Sequence, residues 1–174
     1  MTTFRSRSNF SDRKRRGLIG AAVLSFAATV FAEEPVRVSQ CELEAHPAPY
    51  THKLVEVSGT VVHQFEAFVI EDPACKAFAG IWLEYGGMTT SPIVFCCCQV
   101  AGKRRSHIAA FEGEEVPLIK DPAFKAFDRL VRHDQANPIQ ATLVGRFFAA
   151  SEADRGYGHF GMFSLLVIQQ VIRR

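Results

Sequence analysis

The 174-residue sequence has no run of 18 or more apolar residues. That excludes a bundle of membrane-spanning helices, each of which needs about 20. It lacks a Cys-x-x-Cys pair, the usual half of a structural zinc site. Gly-x-Ser-x-Gly and His-Glu-x-x-His are absent, and no glycine-rich loop ends in Gly-Lys-Ser/Thr. The nucleophile elbow, the helical zinc-protease site and the phosphate loop therefore have no carrier. No pair of carboxylates stands out, and His63 and Glu66 lie on an extended stretch that does not present both from one helical face. Together these absences point away from an enzyme. With 48% hydrophobic and 22% charged residues, disorder, collagen and coiled coil are excluded as well.

Charge is concentrated at the start. Arg5, Arg7, Arg13, Lys14, Arg15 and Arg16 precede the uncharged stretch from Gly17 to Ala32, with Asp12 the one acid before it. A basic region, a short apolar core and a small-residue exit read as a signal peptide over residues 1–32, with a periplasmic or extracellular destination. Arg15-Arg16-Gly17-Leu18-Ile19 resembles a twin-arginine export motif. Left uncleaved, this segment would be the chain's contact with a membrane. Six of the 20 basic and one of the 18 acidic residues fall in it. The remainder carries 14 against 17, a net charge of −3. That balance speaks against a nucleic-acid partner, which selects a basic surface.

Residues 33–53 read as an N-terminal extended segment, with a helical turn around Cys41-Glu42-Leu43, and residues 54–174 as the folded domain. Alternation marks strands at Val55–Val61 and at Ile139–Leu143, the latter running on to Phe148, and short apolar runs mark others at Phe68–Glu71, Ile81–Tyr85 and Phe163–Val171. Ile93–Val100 reads as a further strand and Glu115–Ile119 as a short one. Gly59 suggests a bulge or bend in the first strand. Asp121-Pro122 supplies an N-cap and a first-turn proline, and Phe124, Phe127, Leu130 and Val131 recur at helical spacing. Asp72-Pro73-Ala74 nearly repeats this opening, so it too reads as a helix start, cut short at Gly80.

Three strands, an extra hairpin, a helix and two strands resemble the OB-fold, a five-stranded partly open barrel. The expected class is mainly β (α+β): an OB-like barrel with one helix between its third and fourth strands and an inserted Cys-rich hairpin. Gly80–Tyr85 and Ser164–Gln170 also look like segments of small exported bacterial proteins of unknown function. That likeness implies no catalytic residues, metal or cofactor.

On the third strand, Trp82 and Glu84 share the face opposite Ile81, Leu83 and Tyr85. OB barrels bind ligands near that strand and with the loop between the last two strands, here containing Arg155-Gly156-Tyr157-Gly158-His159-Phe160-Gly161. Trp82, Glu84, Tyr157 and His159 are therefore the ligand-binding candidates. Lys103-Arg104-Arg105 with His107 reads as a solvated turn.

The five cysteines, Cys41, Cys75, Cys96, Cys97 and Cys98, all follow the leader. An exported chain tolerates disulfides, and an odd count leaves one sulfur over. They read as structural, with Cys75 expected to pair with one of the consecutive three. The expected function is a non-catalytic binding module for a small ligand, peptide or envelope protein. One rival is a thiol-based metal or redox protein using Cys96, Cys97 and Cys98, since thiolates select soft metals. The other is single-stranded nucleic-acid binding, suggested by the fold alone.

Overall fold

The computed structural model describes residues 33–64, 67–75, 80–87, 110–133, 137–150, 156–158 and 161–173. Its strands are β1 (Val36–Arg37), β2 (Leu54–Gln64), β3 (Ala67–Glu71), β4 (Ile81–Tyr85), β5 (Ala110–Phe111), β6 (Glu114–Glu115), β7 (Ile139–Phe148) and β8 (Leu165–Arg173). Two α-helices join them, α1 (Gln40–Ala45) and α2 (Pro122–His133), with a 3-10 turn at Ala48–Tyr50.

Five strands close on themselves in the order β2-β3-β4-β8-β7 and back to β2. The pairings are antiparallel except β4 with β8, which run parallel. The result is the expected OB-like barrel, with α2 between its third and fourth strands. The long strand β2 makes closure possible. Residues 54–61 bond β7, residues 60–64 bond β3, and Gly59 lies at the changeover. The register of β2 is unbroken, so of the bulge or bend suggested at Gly59 the bulge is absent. Glycine is needed because β3 crosses closely: a Cβ would sit 2.8 Å from the Glu71 carbonyl oxygen.

Two register slips lie in β8 instead, the first leaving Ile172 unmatched between the Thr142–Arg173 and Leu143–Val171 pairs. At the second, Val144 faces Gln170 while Gly145 faces Ile168, which leaves Gln169 unmatched. Its carbonyl accepts from the Ile119 N–H at 2.8 Å. The second slip shifts the alternation, so Leu166 and Ile168 point inward before it and Val171 after it.

Inward residues of all five strands form the main core, plugged at one end by Phe124, Phe127 and Val131 of α2. Asp121 caps that helix, its Oδ1 accepting from Phe124 N–H at 2.8 Å. Tyr85 meets Phe68, Phe124 and Phe127 edge-to-face. Burial, and then the Asp128 carboxylate, push its phenol far above the usual range, so it stays neutral. At the near-repeat the geometry differs: Asp72 Oδ1 accepts from Ala74 N–H, two residues on, at 2.9 Å, and the Asp72 carbonyl accepts from Cys75 N–H at 2.8 Å, which makes a turn and not a helix cap; residues 76–79 lie outside the described residues.

Residues 33–53 are less extended than expected, because the helical turn expected around Cys41-Glu42-Leu43 is the longer α1: Ser39 caps it by accepting from Glu42 N–H at 3.2 Å, and it buries Gln40 and Leu43. The disulfide expectation is corrected. Cys75 pairs with Cys41, not with one of Cys96, Cys97 and Cys98. This bond joins α1 to the connection leaving β3. The expected strand at Ile93–Val100, the three consecutive cysteines and the basic run Lys103–Arg105 lie outside the described residues.

Candidate binding site

Trp82 and Glu84 do share the outer face of β4, but that face is closed. All five residues of β4 are buried. Trp82 packs with Val69, Val116, Phe148, Leu165 and Val167 in a second cluster outside the barrel. Two segments cover it. One is the β5–β6 hairpin with Val116 behind it. The other is the β7–β8 connection, whose Phe163 ring lies 5.4 Å from the indole. Gly158 presses on the ring itself: a Cβ there would fall 2.9 Å from Cζ3 and nearer still to two other ring carbons. The indole is 1% exposed, so it serves packing and not as an open stacking platform. Glu84 is fully buried beside it. His159 lies outside the described residues.

Tyr157 is part of the cover. It exchanges main-chain hydrogen bonds with Phe163 at 2.7 and 3.2 Å, and its hydroxyl donates to Glu112 at the tip of the hairpin. From there a polar chain runs across the surface. The second Glu112 oxygen faces His52 Nε2 at 3.1 Å, and His52 Nδ1 meets Glu114 at 2.7 Å. Glu114 faces Arg146 Nε at 3.4 Å, and Arg146 reaches Glu33 at 2.8 Å. Burial opposes the Glu33 charge, but the Leu54 N–H and the Arg146 guanidinium outweigh it and hold its carboxyl below the usual range.

The open site lies beside the cover. A cleft of about 200 Å³ is lined by Glu44 of α1, Pro47, Gly80 ahead of β4, Ala150 after β7, and Met162, Phe163 and Ser164 ahead of β8. Each element is fixed locally. The Ser164 carbonyl accepts from Trp82 N–H at 2.9 Å, and its hydroxyl accepts from Ala150 N–H at 3.0 Å. The Cys41–Cys75 bond ties α1, which carries Glu44, to the strand connection that ends in Gly80.

Glu44 gives the cleft its chemistry. Burial raises its pKa above the usual carboxylate range, against the hydrogen bond from Gln40 and the nearby Gly80 amide. One oxygen accepts from Gln40 Nε2 at 3.1 Å. The other is buried without a well-formed hydrogen bond. A carboxylate so placed is stabilised by a cation or a strong donor. Facing it are Met162, 69% exposed, and the ring of Phe163. The cleft thus offers an acid at its wall and an apolar surface opposite.

Sequence reasoning did not single out Glu44. The signal was present: Gln40 and Glu44 are four apart on one helix, so they share a face, with buried Leu43 next to it. The chain matches no protein-family model, no curated protein and no solved structure.

Proposed function

We propose that the chain beyond residue 32 is an exported, non-catalytic binding module. Its ligand is a small molecule, or one side chain of a peptide, with a short apolar stem and a cationic amine. The observation that supports this most directly is Glu44, an incompletely bonded carboxyl in a cleft whose apolar wall is Met162, Phe163, Pro47 and Ala150, with Gly80 and Ser164 completing it. An ammonium group offsets the desolvation that raises the Glu44 pKa, while the stem removes apolar surface from water. The closed aromatic face supports placing the ligand in the cleft and not on Trp82.

Calorimetric titration of the purified protein with n-butylammonium, n-butanol and butyrate tests this reading. The ammonium binds saturably, the alcohol binds more weakly, and butyrate does not bind. In Glu44→Gln the preference for the ammonium is lost. Equal response to all three, or an unchanged preference in the variant, overturns the proposal.

A further inference from the structure

The tip of the β5–β6 hairpin carries an unexpected residue. Glu112 and Gly113 are the two central residues of a two-residue loop, with φ of +48° and +84°. Both being positive marks a type I′ turn, which favours Asn, Asp or Gly at its first position. A glutamate held left-handed is unfavourable, because its Cβ crowds the following carbonyl oxygen. Its longer side chain does not repay that within the turn, because its carboxylate bonds elsewhere. Oε1 accepts from the Tyr157 hydroxyl and Oε2 faces His52 Nε2.

His52 is itself left-handed, at φ +63°. Among the described residues, His52 and Glu112 are the two non-glycine residues in that conformation, and their side chains meet. Strain of this kind persists where surrounding contacts over-determine it, and it clusters at clamps and switches. Here the joined residues fasten the segment over Trp82. Glu112 holds Tyr157, Tyr157 is paired through its main chain to Phe163, and Gly158 follows directly against the indole. Phe163 is also a wall of the cleft.

We infer that the β5–β6 hairpin is a latch: Glu112, braced by His52, clasps Tyr157, holds Gly158 and Phe163 over Trp82, and so fixes Phe163 in the cleft. Releasing the clasp bares the aromatic face and loosens the cleft wall. The effect on ligand affinity rests on the binding role proposed for the cleft; the closure over Trp82 does not.

Trp82 is the sole tryptophan of the chain, so acrylamide quenching of its fluorescence reports the cover alone. Glu112→Asn removes the carboxylate and supplies a residue the turn prefers. Tyr157→Phe removes the hydroxyl and leaves the hairpin turn untouched. In both, the quenching constant rises by about twofold or more, as local opening without global unfolding requires, while the melting temperature of Glu112→Asn does not fall. Affinity for n-butylammonium, measured on the same proteins, falls in parallel. Quenching unchanged in both variants overturns the latch, whatever the ligand data show. Increased quenching in the variants, with no ammonium binding even in the parent, upholds the latch and removes the cleft reading alone.

Discussion

Gly158 rests on the face of the Trp82 indole so closely that no side chain fits between them. The contact ties a loop glycine to the outer face of β4 and turns the usual ligand surface of an OB-like barrel into an outer core. Gly158 also needs its freedom of backbone, at φ +71°.

Gly158→Ala therefore meets two obstacles, a ring clash and an unfavourable left-handed alanine. Overpacking of this kind typically costs about 1–3 kcal/mol. Chemical denaturation gives the loss of stability, and a red-shifted, more quenchable Trp82 emission shows that the cover has lifted. Unchanged emission would mean that the glycine does not lie on the ring.

The Cys41–Cys75 bond spans 34 residues of sequence. Peptide mapping without reduction recovers these two cysteines in one linked product. Replacing both by serine lowers stability by about 2–4 kcal/mol, the usual cost of opening a loop of this size. A linkage from Cys75 to any of Cys96, Cys97 or Cys98 would contradict the fold as described.

Glu44 gives a pH dependence of definite sign. Its pKa is raised on folding, so its neutral form fits the fold better than its charged form. The stabilising contribution is full below the usual glutamate range and is lost as pH rises through the raised value. Glu44→Gln should thus be more stable than the parent at pH 7, by less than about 1 kcal/mol because the half-exposed group is screened by solvent. The difference disappears in acid. Denaturation of both proteins across this pH range checks it, and a variant less stable at pH 7 would reverse the assignment.

Among the described residues, Asp121 Oδ1 is the acceptor for the Phe124 N–H at the head of α2. Asp121→Ala removes it and costs about 1 kcal/mol. Because α2 plugs the barrel, that loss appears in the cooperative unfolding of the whole barrel and not as local fraying. Helical circular dichroism and tryptophan fluorescence should therefore report one shared, lowered midpoint.

The barrel was legible because its signals are local. Alternation over Ile139–Leu143, and the two-residue period of a strand such as Ile81–Tyr85, assign each side chain to a face without reference to the rest of the chain. Asp121, Pro122, Phe124 and Phe127 state the start and buried side of α2 within two turns. What failed to show depends on distant segments meeting. Nothing near Cys75 says that Cys41 is its partner. Nothing within β4 says that Gly158 and Phe163 will close over Trp82. The Glu112–Gly113 turn was hidden for a different reason: glutamate is a poor turn former, chosen for side-chain partners remote in sequence. Glu44 was missed because α1 was read as a single turn, too short to set Gln40 and Glu44 on one face.

The proposed binding cleft has an exposed methionine, Met162, on its wall beside Glu44. With methionine methyl groups labelled with carbon-13, titration by n-butylammonium should shift the Met162 resonance saturably, and Glu44→Gln should abolish the response. A Met162 signal that stays put while the ligand binds, or one that moves equally in the variant, would place recognition elsewhere on the protein.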